Sequence, residues 1–211
     1  MAAAYKLTYF NLPALGETSR LIFVATGTAF TDERLSIGFA DGKPVFPPEM
    51  AALKAAGALP FGKIPTLEVG GGVAPIAQSK AIERFLAREL GIAGATSLDQ
   101  ARLDSVCEEV ADIKTKFNAV KGDAEKRAHF LSTELPAMFA AIDKQLALVA
   151  GGKLSIADVY LYQLTHTFSK ADAAELAAAA TPGVAAAIAK VATLPSIVAW
   201  EAGRPERKEA M

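Results

Sequence analysis

From Leu103 onward the apolar residues recur mostly at three- and four-residue steps. They run first as Leu103, Val106, Cys107, Val110, Phe117 and Val120, then as Leu131, Leu135, Phe139, Ile142, Leu146 and Val149. A strand alternates faces every two residues and cannot gather that pattern on one side, whereas a helix at 3.6 residues per turn does. The pattern predicts two long amphipathic helices, over 98–120 and 124–149, the second bending near Pro136. Ser155 and Asp158 fit a capping box in which hydroxyl and carboxylate answer the free N–H groups of the helix that follows, with Leu154 as a hydrophobic staple. That helix is expected to reach about residue 168. Thr181–Pro182 opens another, to about residue 194, and 195–200 forms a last turn or short helix before a polar, loose tail.

The first 90 residues read differently. Residues 5–10 are dense in aromatic and β-favouring types, and 31–35 form a second strand candidate. Between them, 15–26 has a helical pattern that stops at Gly27. Strand, helix, strand at this spacing predicts a right-handed crossover and parallel pairing. Residues 36–48 carry two glycines and three prolines and read as irregular chain. A short helix over 49–56 precedes a strand at 66–69. The glycines 70–72 make a hairpin turn and 73–76 returns antiparallel. A helix over 79–89, with Ala81, Ile82, Phe85 and Leu86 on its apolar face, closes this half. The expected fold is therefore α/β plus all-α, a mixed four-stranded sheet domain over 1–90 and a helical-bundle domain over 97–211, with the turn-like residues 91–96 between them.

Composition removes several functions. The net charge of −1 and pI of about 6.2 provide no electrostatic footprint for nucleic acid or an anionic membrane. The single cysteine, Cys107, forbids an internal disulfide and a cysteine-built metal site, and its place in an apolar pattern marks it as a buried small hydrophobe. The two histidines, His129 and His166, are far apart and read as surface or boundary residues, so no metal is expected. The start shows no basic region followed by a long apolar run, and the alanine-rich stretch 173–192 is interrupted by Glu175, Pro182 and Lys190. A cytoplasmic protein without membrane insertion is the expectation.

Three local features can carry chemistry. Pro65 cannot donate to a ladder and belongs at a strand start, as a plain turn or as a cis bond that exposes neighbouring backbone groups. Gln78 and Ser79 stand where a helix begins, either as an ordinary cap or as a clamp for a carboxylate. Tyr9 ends the first strand, as a core aromatic or as a phenol aimed at a pocket near a helix start, where negative charge is favoured.

Taken together, YKLTYFNLPALGETSRL, LPFGKIPTLEVGGGVAPIAQSKAIERFL and GGKLSIADVYLYQL resemble the cytosolic glutathione transferases. The similarity is greatest to the sigma class, which includes the glutathione-dependent prostaglandin D synthases, and it covers nearly the whole chain. The resemblance implies a thioredoxin-like first domain that binds glutathione as co-substrate, with no prosthetic group, and a helical second domain lining the electrophile site. It implies that Tyr9 activates the thiol and that Ile64, next to a cis Pro65, pairs its backbone with the cysteinyl part. Gln78 and Ser79 would hold the γ-glutamyl end, and Lys54 and Lys63 would sit near the glycine-end carboxylate. It further implies a homodimer in which Asp112 reaches the partner's glutathione, and an apolar electrophile site between the domains near Leu12, Leu15, Phe117 and Trp200.

Two positions depart from the sigma pattern. Leu15 replaces an arginine six residues after the tyrosine, and the usual loop tryptophan is absent, with Phe46 nearest in local order. The expected activity is addition of the glutathione thiolate to an apolar electrophile. The alternatives are a glutathione-dependent prostaglandin isomerase or peroxidase, or a non-enzymatic scaffold of the same family.

Overall fold

The computed structural model describes residues 4–70, 74–149, 152–169 and 172–203. The chain divides into two compact units, residues 1–90 and 91–211.

In the first unit β1 (Tyr5–Phe10) leads through a tight turn, Ala14–Gly16, into α1 (Glu17–Ala25) and then β2 (Thr31–Leu35). The helix begins two residues later than its apolar pattern suggests, because residues 14–16 wind more tightly than an α-helix. After β3 (Gly38–Ala40), β4 (Lys43–Val45) and α2 (Pro48–Ala55) come β5 (Thr66–Val69), β6 (Ile76–Ala77) and α3 (Ser79–Glu89). The main sheet has the order β2-β1-β5-β6. β1 pairs in parallel with β2 and antiparallel with β5, which pairs antiparallel with β6. This is the thioredoxin-like mixed sheet expected from the sequence. Leu7, Leu21, Ile22, Phe23, Leu67, Ile82 and Leu86 are fully enclosed and form its core.

Residues 36–48 are not irregular throughout, because β3 and β4 form a separate two-stranded hairpin. The pair Asp41 and Gly42 both take positive φ, 50° and 71°, the geometry of the tight turns that suit a hairpin's twist. Every residue of both strands is exposed, so there was no buried face to leave an alternating pattern. β6 starts at Ile76, later than the expected 73–76. Gly71 and Gly72 of the expected hairpin turn, and Val73 at the expected start of the returning strand, lie outside the described residues, as does the tail from Arg204.

The second unit holds α4 (Ser97–Val120), α5 (Ala124–His129), α6 (Leu135–Leu146), α7 (Ile156–Thr165), α8 (Ala173–Ala179), α9 (Pro182–Ala192) and α10 (Pro195–Ala202). Its core gathers Leu103, Val106, Val110, Ile113, Leu135, Phe139, Ile142, Val159, Leu161 and Val184. The expected single helix over 124–149 is interrupted by a wider π-helical turn, Phe130–Glu134. Pro136 has no N–H for the carbonyl four residues back, and its ring crowds that carbonyl, so the ladder loosens there. The cap of α7 is a complete box. Asp158 Oδ2 accepts from Ser155 N and Oγ at 2.7 and 2.9 Å, and Ser155 Oγ accepts from Asp158 N at 3.4 Å. That helix stops at Thr165, short of residue 168. α8 was not anticipated, because its run of small residues carries almost no periodic contrast.

Among the described residues no single helix is long and apolar enough to cross a membrane. α9 and α10 pass such a test only as a pair bent by 71°.

Candidate functional site

The geometry of the first unit follows from strand register. Thr8 faces Thr66 across the β1–β5 ladder, and Thr66 faces Ala77 across β5–β6. Both ladders stop at this row, and Tyr9, Pro65 and Gln78 are the next residues along the chain beyond Thr8, Thr66 and Ala77. Three segments distant in sequence thus meet at one end of the sheet.

Tyr9 is 5% exposed. It shares a hydrophobic cluster with Phe10, Leu35, Met50, Leu59 and Ile64, against which Leu12 packs. Its phenolic oxygen accepts the Leu15 N–H at 3.3 Å. The Arg20 guanidinium lies 5.8 Å from the ring centroid. Burial pushes the phenol above its ordinary value of 10.0, while the Leu15 N–H and the Arg20 charge pull the other way. The hydroxyl is therefore protonated at neutral pH and can donate to an anion.

The Ile64–Pro65 bond is cis. Ile64 and Pro65 are buried, and Lys63 beside them is exposed. Lys54, also exposed, runs along the Gly62 backbone, its Cε 3.7 Å from where a Cβ on Gly62 would stand. Lys54 and Lys63 therefore belong to one neighbourhood, although one is on α2 and the other on the loop before β5.

Gln78 has φ 75° and ψ 113°, an unusual backbone for a residue with a side chain. It, rather than Ser79, is the N-cap of α3. Ser79 is the first helical residue, half-buried, and the Gln78 side chain makes no cap hydrogen bond. The first turn carries no acidic residue. A helix start whose N-cap side chain makes no cap bond and whose first turn is free of acids suits an external anion.

Phe46 is 57% exposed and stacks on Phe10 at 5.8 Å between centroids. Leu15 is exposed and Leu12 half-buried. In the second unit Asp112 is exposed on α4 and Trp200 half-buried on α10. Phe117 does not present a free apolar surface. It is 3% exposed and packs on Phe168 and Phe130, with centroids at 4.3 and 6.0 Å. Its place on the inward face of α4 directs it into the core of the helical unit. Among the described residues no group of His, Cys, Asp and Glu could hold a metal ion.

Sequence reasoning passed over Arg20. It is fully buried and donates from Nε to both Asp32 oxygens at 3.0 and 3.1 Å, from Nη1 to Leu12 O at 2.9 Å, and from Nη2 to Phe10 O at 3.1 Å. Buried Glu17 lies 3.4 Å from Nη1. The carbonyls it holds flank Asn11, and the first of them belongs to Phe10, immediately after Tyr9. The sequence signal was an i,i+3 acid–arginine pair beside Leu21 and Ile22, which is more often a surface pair.

Residues 108–204 match the family described as glutathione S-transferase, C-terminal domain. The chain is 35% identical to the hematopoietic prostaglandin D synthase of Gallus gallus, over 96% of this chain and 97% of that protein. Among solved structures, a monomeric glutathione S-transferase of the hookworm Necator americanus superposes with a TM-score of 0.74 at 32% identity, covering 97% of this chain and 98% of that one. The prostaglandin synthase D of Nilaparvata lugens gives 0.68 at 26% identity, over 96% and 99%.

Proposed function

The chain belongs to the cytosolic glutathione transferase family, and from that membership we propose that its first unit binds glutathione and that Tyr9 activates the thiol for attack on an apolar electrophile. Family membership makes it an enzyme with glutathione as co-substrate; the residue roles are this proposal. The observation that carries them is the paired row Thr8, Thr66 and Ala77 at one end of the sheet, directly beyond which the chain continues into Tyr9, the cis Ile64–Pro65 bond and the start of α3.

Each feature suits a part of the tripeptide. The N–H groups and hydroxyl of Ser79, with Gln78, receive the γ-glutamyl carboxylate. The Ile64 backbone pairs with the cysteinyl residue. Lys54 and Lys63 supply charge for the glycine carboxylate. Phe46 is the aromatic wall in place of the missing tryptophan. The Tyr9 hydroxyl then donates to the sulfur. The S–H proton leaves to solvent, the sulfur lone pair forms the new C–S bond, and the displaced electron pair goes to a leaving group or to an atom that is then protonated. A free thiol near pKa 8.5 needs only modest stabilisation to be largely ionised at neutral pH.

The sigma class and a homodimer with Asp112 reaching the partner's site are part of the same proposal. Sedimentation at working concentration tests the dimer, which the monomeric hookworm relative makes a necessary measurement. Similarity to prostaglandin D synthases favours a second reading, isomerisation of a prostaglandin endoperoxide. Exposed Leu15, in place of the expected arginine, removes a cation from the thiol's surroundings and argues for simple conjugation. The test is calorimetric titration with glutathione, then turnover with a generic aromatic electrophile, an organic hydroperoxide and the endoperoxide. Saturable binding with conjugation leading is expected. No binding at millimolar glutathione would end the proposal, and endoperoxide isomerisation dominating would replace the reaction.

A further inference from the structure

Gly16 has φ −88° and ψ −17°, an ordinary right-handed conformation open to any residue, so the backbone does not require glycine there. The space does. A Cβ at this position would lie 2.5 Å from Cδ1 and 2.7 Å from Cγ of Tyr9, closer than real contacts allow. The Cβ, Cγ and Cδ1 side of Tyr9 therefore occupies the space beside the Cα of the N-cap residue of α1, and cannot share that place with a methyl group. The preceding residue, Leu15, gives its N–H to the phenolic oxygen. A phenol has one hydrogen and two acceptor lone pairs. With one lone pair engaged by Leu15, the hydroxyl hydrogen is turned away from the turn, and the donated bond makes that hydrogen a better donor in its turn.

We propose that Gly16 is a positioning residue for Tyr9, and that the glycine and the Leu15 amide together form a mount that aims the phenolic hydrogen at the glutathione sulfur. The glycine sets the depth of the ring and the amide sets the direction of the hydrogen. This rests on the assignment of Tyr9 to thiol activation. Burial raises the phenol while the Leu15 N–H lowers it, which is the direction the mount requires.

The test compares the parent with Gly16→Ala, with Tyr9→Phe, and with a protein in which Leu15 is replaced by its α-hydroxy analogue, so that an ester oxygen stands where the N–H was. The readouts are thiolate absorbance of bound glutathione against pH, calorimetric glutathione affinity, and the pH profile of kcat/KM. Gly16→Ala should move the thiol titration upward by about half a unit or more, a roughly threefold or greater loss of rate at neutral pH that closes at high pH. Glutathione affinity should stay within about twofold, because the ends of the tripeptide are held elsewhere. The ester should shift the titration in the same direction and, since it adds no bulk, decides the matter if Gly16→Ala does not fold. Titrations of both altered proteins superimposable on the parent, with Tyr9→Phe still shifted, would overturn the mount and leave the role of Tyr9 standing. A Tyr9→Phe titration identical to the parent would overturn both.

Discussion

Replacing Arg20 by methionine should loosen the first unit from the end of β1 outward. The guanidinium is fully enclosed, and its loss takes donors from Asp32, from buried Glu17 and from the carbonyls of Phe10 and Leu12. Methionine refills most of the volume, so the cost is electrostatic rather than that of a cavity. Removing one partner of a buried pair costs about 3–5 kcal/mol. Asp32 keeps Arg34 at 2.7 Å and Leu12 is only half-buried, so part of the loss is recovered. A value near 4 kcal/mol is expected, on the order of 10 °C in midpoint temperature. Arg20→Lys keeps the charge, but one ammonium cannot span acceptors from Asp32 to Phe10, so it should lose roughly half as much. Intrinsic tryptophan fluorescence is the wrong probe, because the one tryptophan, Trp200, belongs to the other unit. Hydrogen exchange of the β1 and α1 amides, beside urea unfolding followed by circular dichroism, reads the right place. A loss below about 1 kcal/mol with unchanged β1 protection would show that the buried network contributes little net stability.

Tyr9→Phe should raise the thiol pKa of bound glutathione and lower turnover at neutral pH by roughly tenfold or more, since a donor placed where charge resides is worth a few kcal/mol; unchanged pH–rate profiles would remove the phenol from the reaction. The same change should alter alkaline stability. The native state holds the Tyr9 proton more tightly than the unfolded chain, so this contribution is intact below pH 10.0 and is lost as pH rises through the raised folded value; the parent should lose more stability in alkali than the variant, and parallel alkaline melting curves would contradict it. Ser79→Ala should weaken glutathione binding by roughly tenfold or more with little effect on melting, because the N-cap of α3 is Gln78, whose side chain makes no cap hydrogen bond, and a charge-assisted bond is worth about 1.5–3 kcal/mol; equal calorimetric affinities would refute the clamp. Asp158→Ala should cost about 2–4 kcal/mol, since the enclosed carboxylate bonds Ser155 and also Lys190 at 3.1 Å; a loss no larger than that of Ser155→Ala, followed by Trp200 fluorescence, would reduce it to an ordinary cap.

Where the sequence was readable, a buried face left its period. Leu21 and Ile22 marked α1, the spaced leucines and valines marked α4, and Ser155 with Asp158 marked the start of α7. The exposed β3–β4 hairpin had no such face, and the small residues of α8 offered no contrast. Pro136 announced a disturbance in its helix, but not that it would be a π-helical turn, because that depends on how neighbouring carbonyls find donors. At the proposed site, the positions of the motif residues were legible because they are local: a proline at a strand start, a serine at a helix start, a tyrosine at a strand end. Arg20 and Gly16 were not, since their meaning lies in what they touch. Phe117 shows the converse: an apolar residue on the right helix reads equally well as cleft or core, and only packing on Phe130 and Phe168 decides.

The β3–β4 hairpin leaves Phe39 and Val45 in contact with solvent, 66% and 51% exposed. Apolar strands with open edges are templates on which further chains can add, which leads to aggregation. This hairpin is poorly suited to that. Each strand has three residues, too few for a lasting ladder, and β4 carries Lys43 and Pro44, a charge and a residue with no N–H to offer on either side. One edge strand of the main sheet, β2, reads TDERL and places charges along its length. The first unit can therefore show hydrophobic surface without inviting a second sheet to grow from this hairpin, and colloidal solubility at this corner depends on Lys43 and Pro44. Substitutions at Lys43 or Pro44 made to adjust that surface would first be felt in how concentrated the protein can be kept.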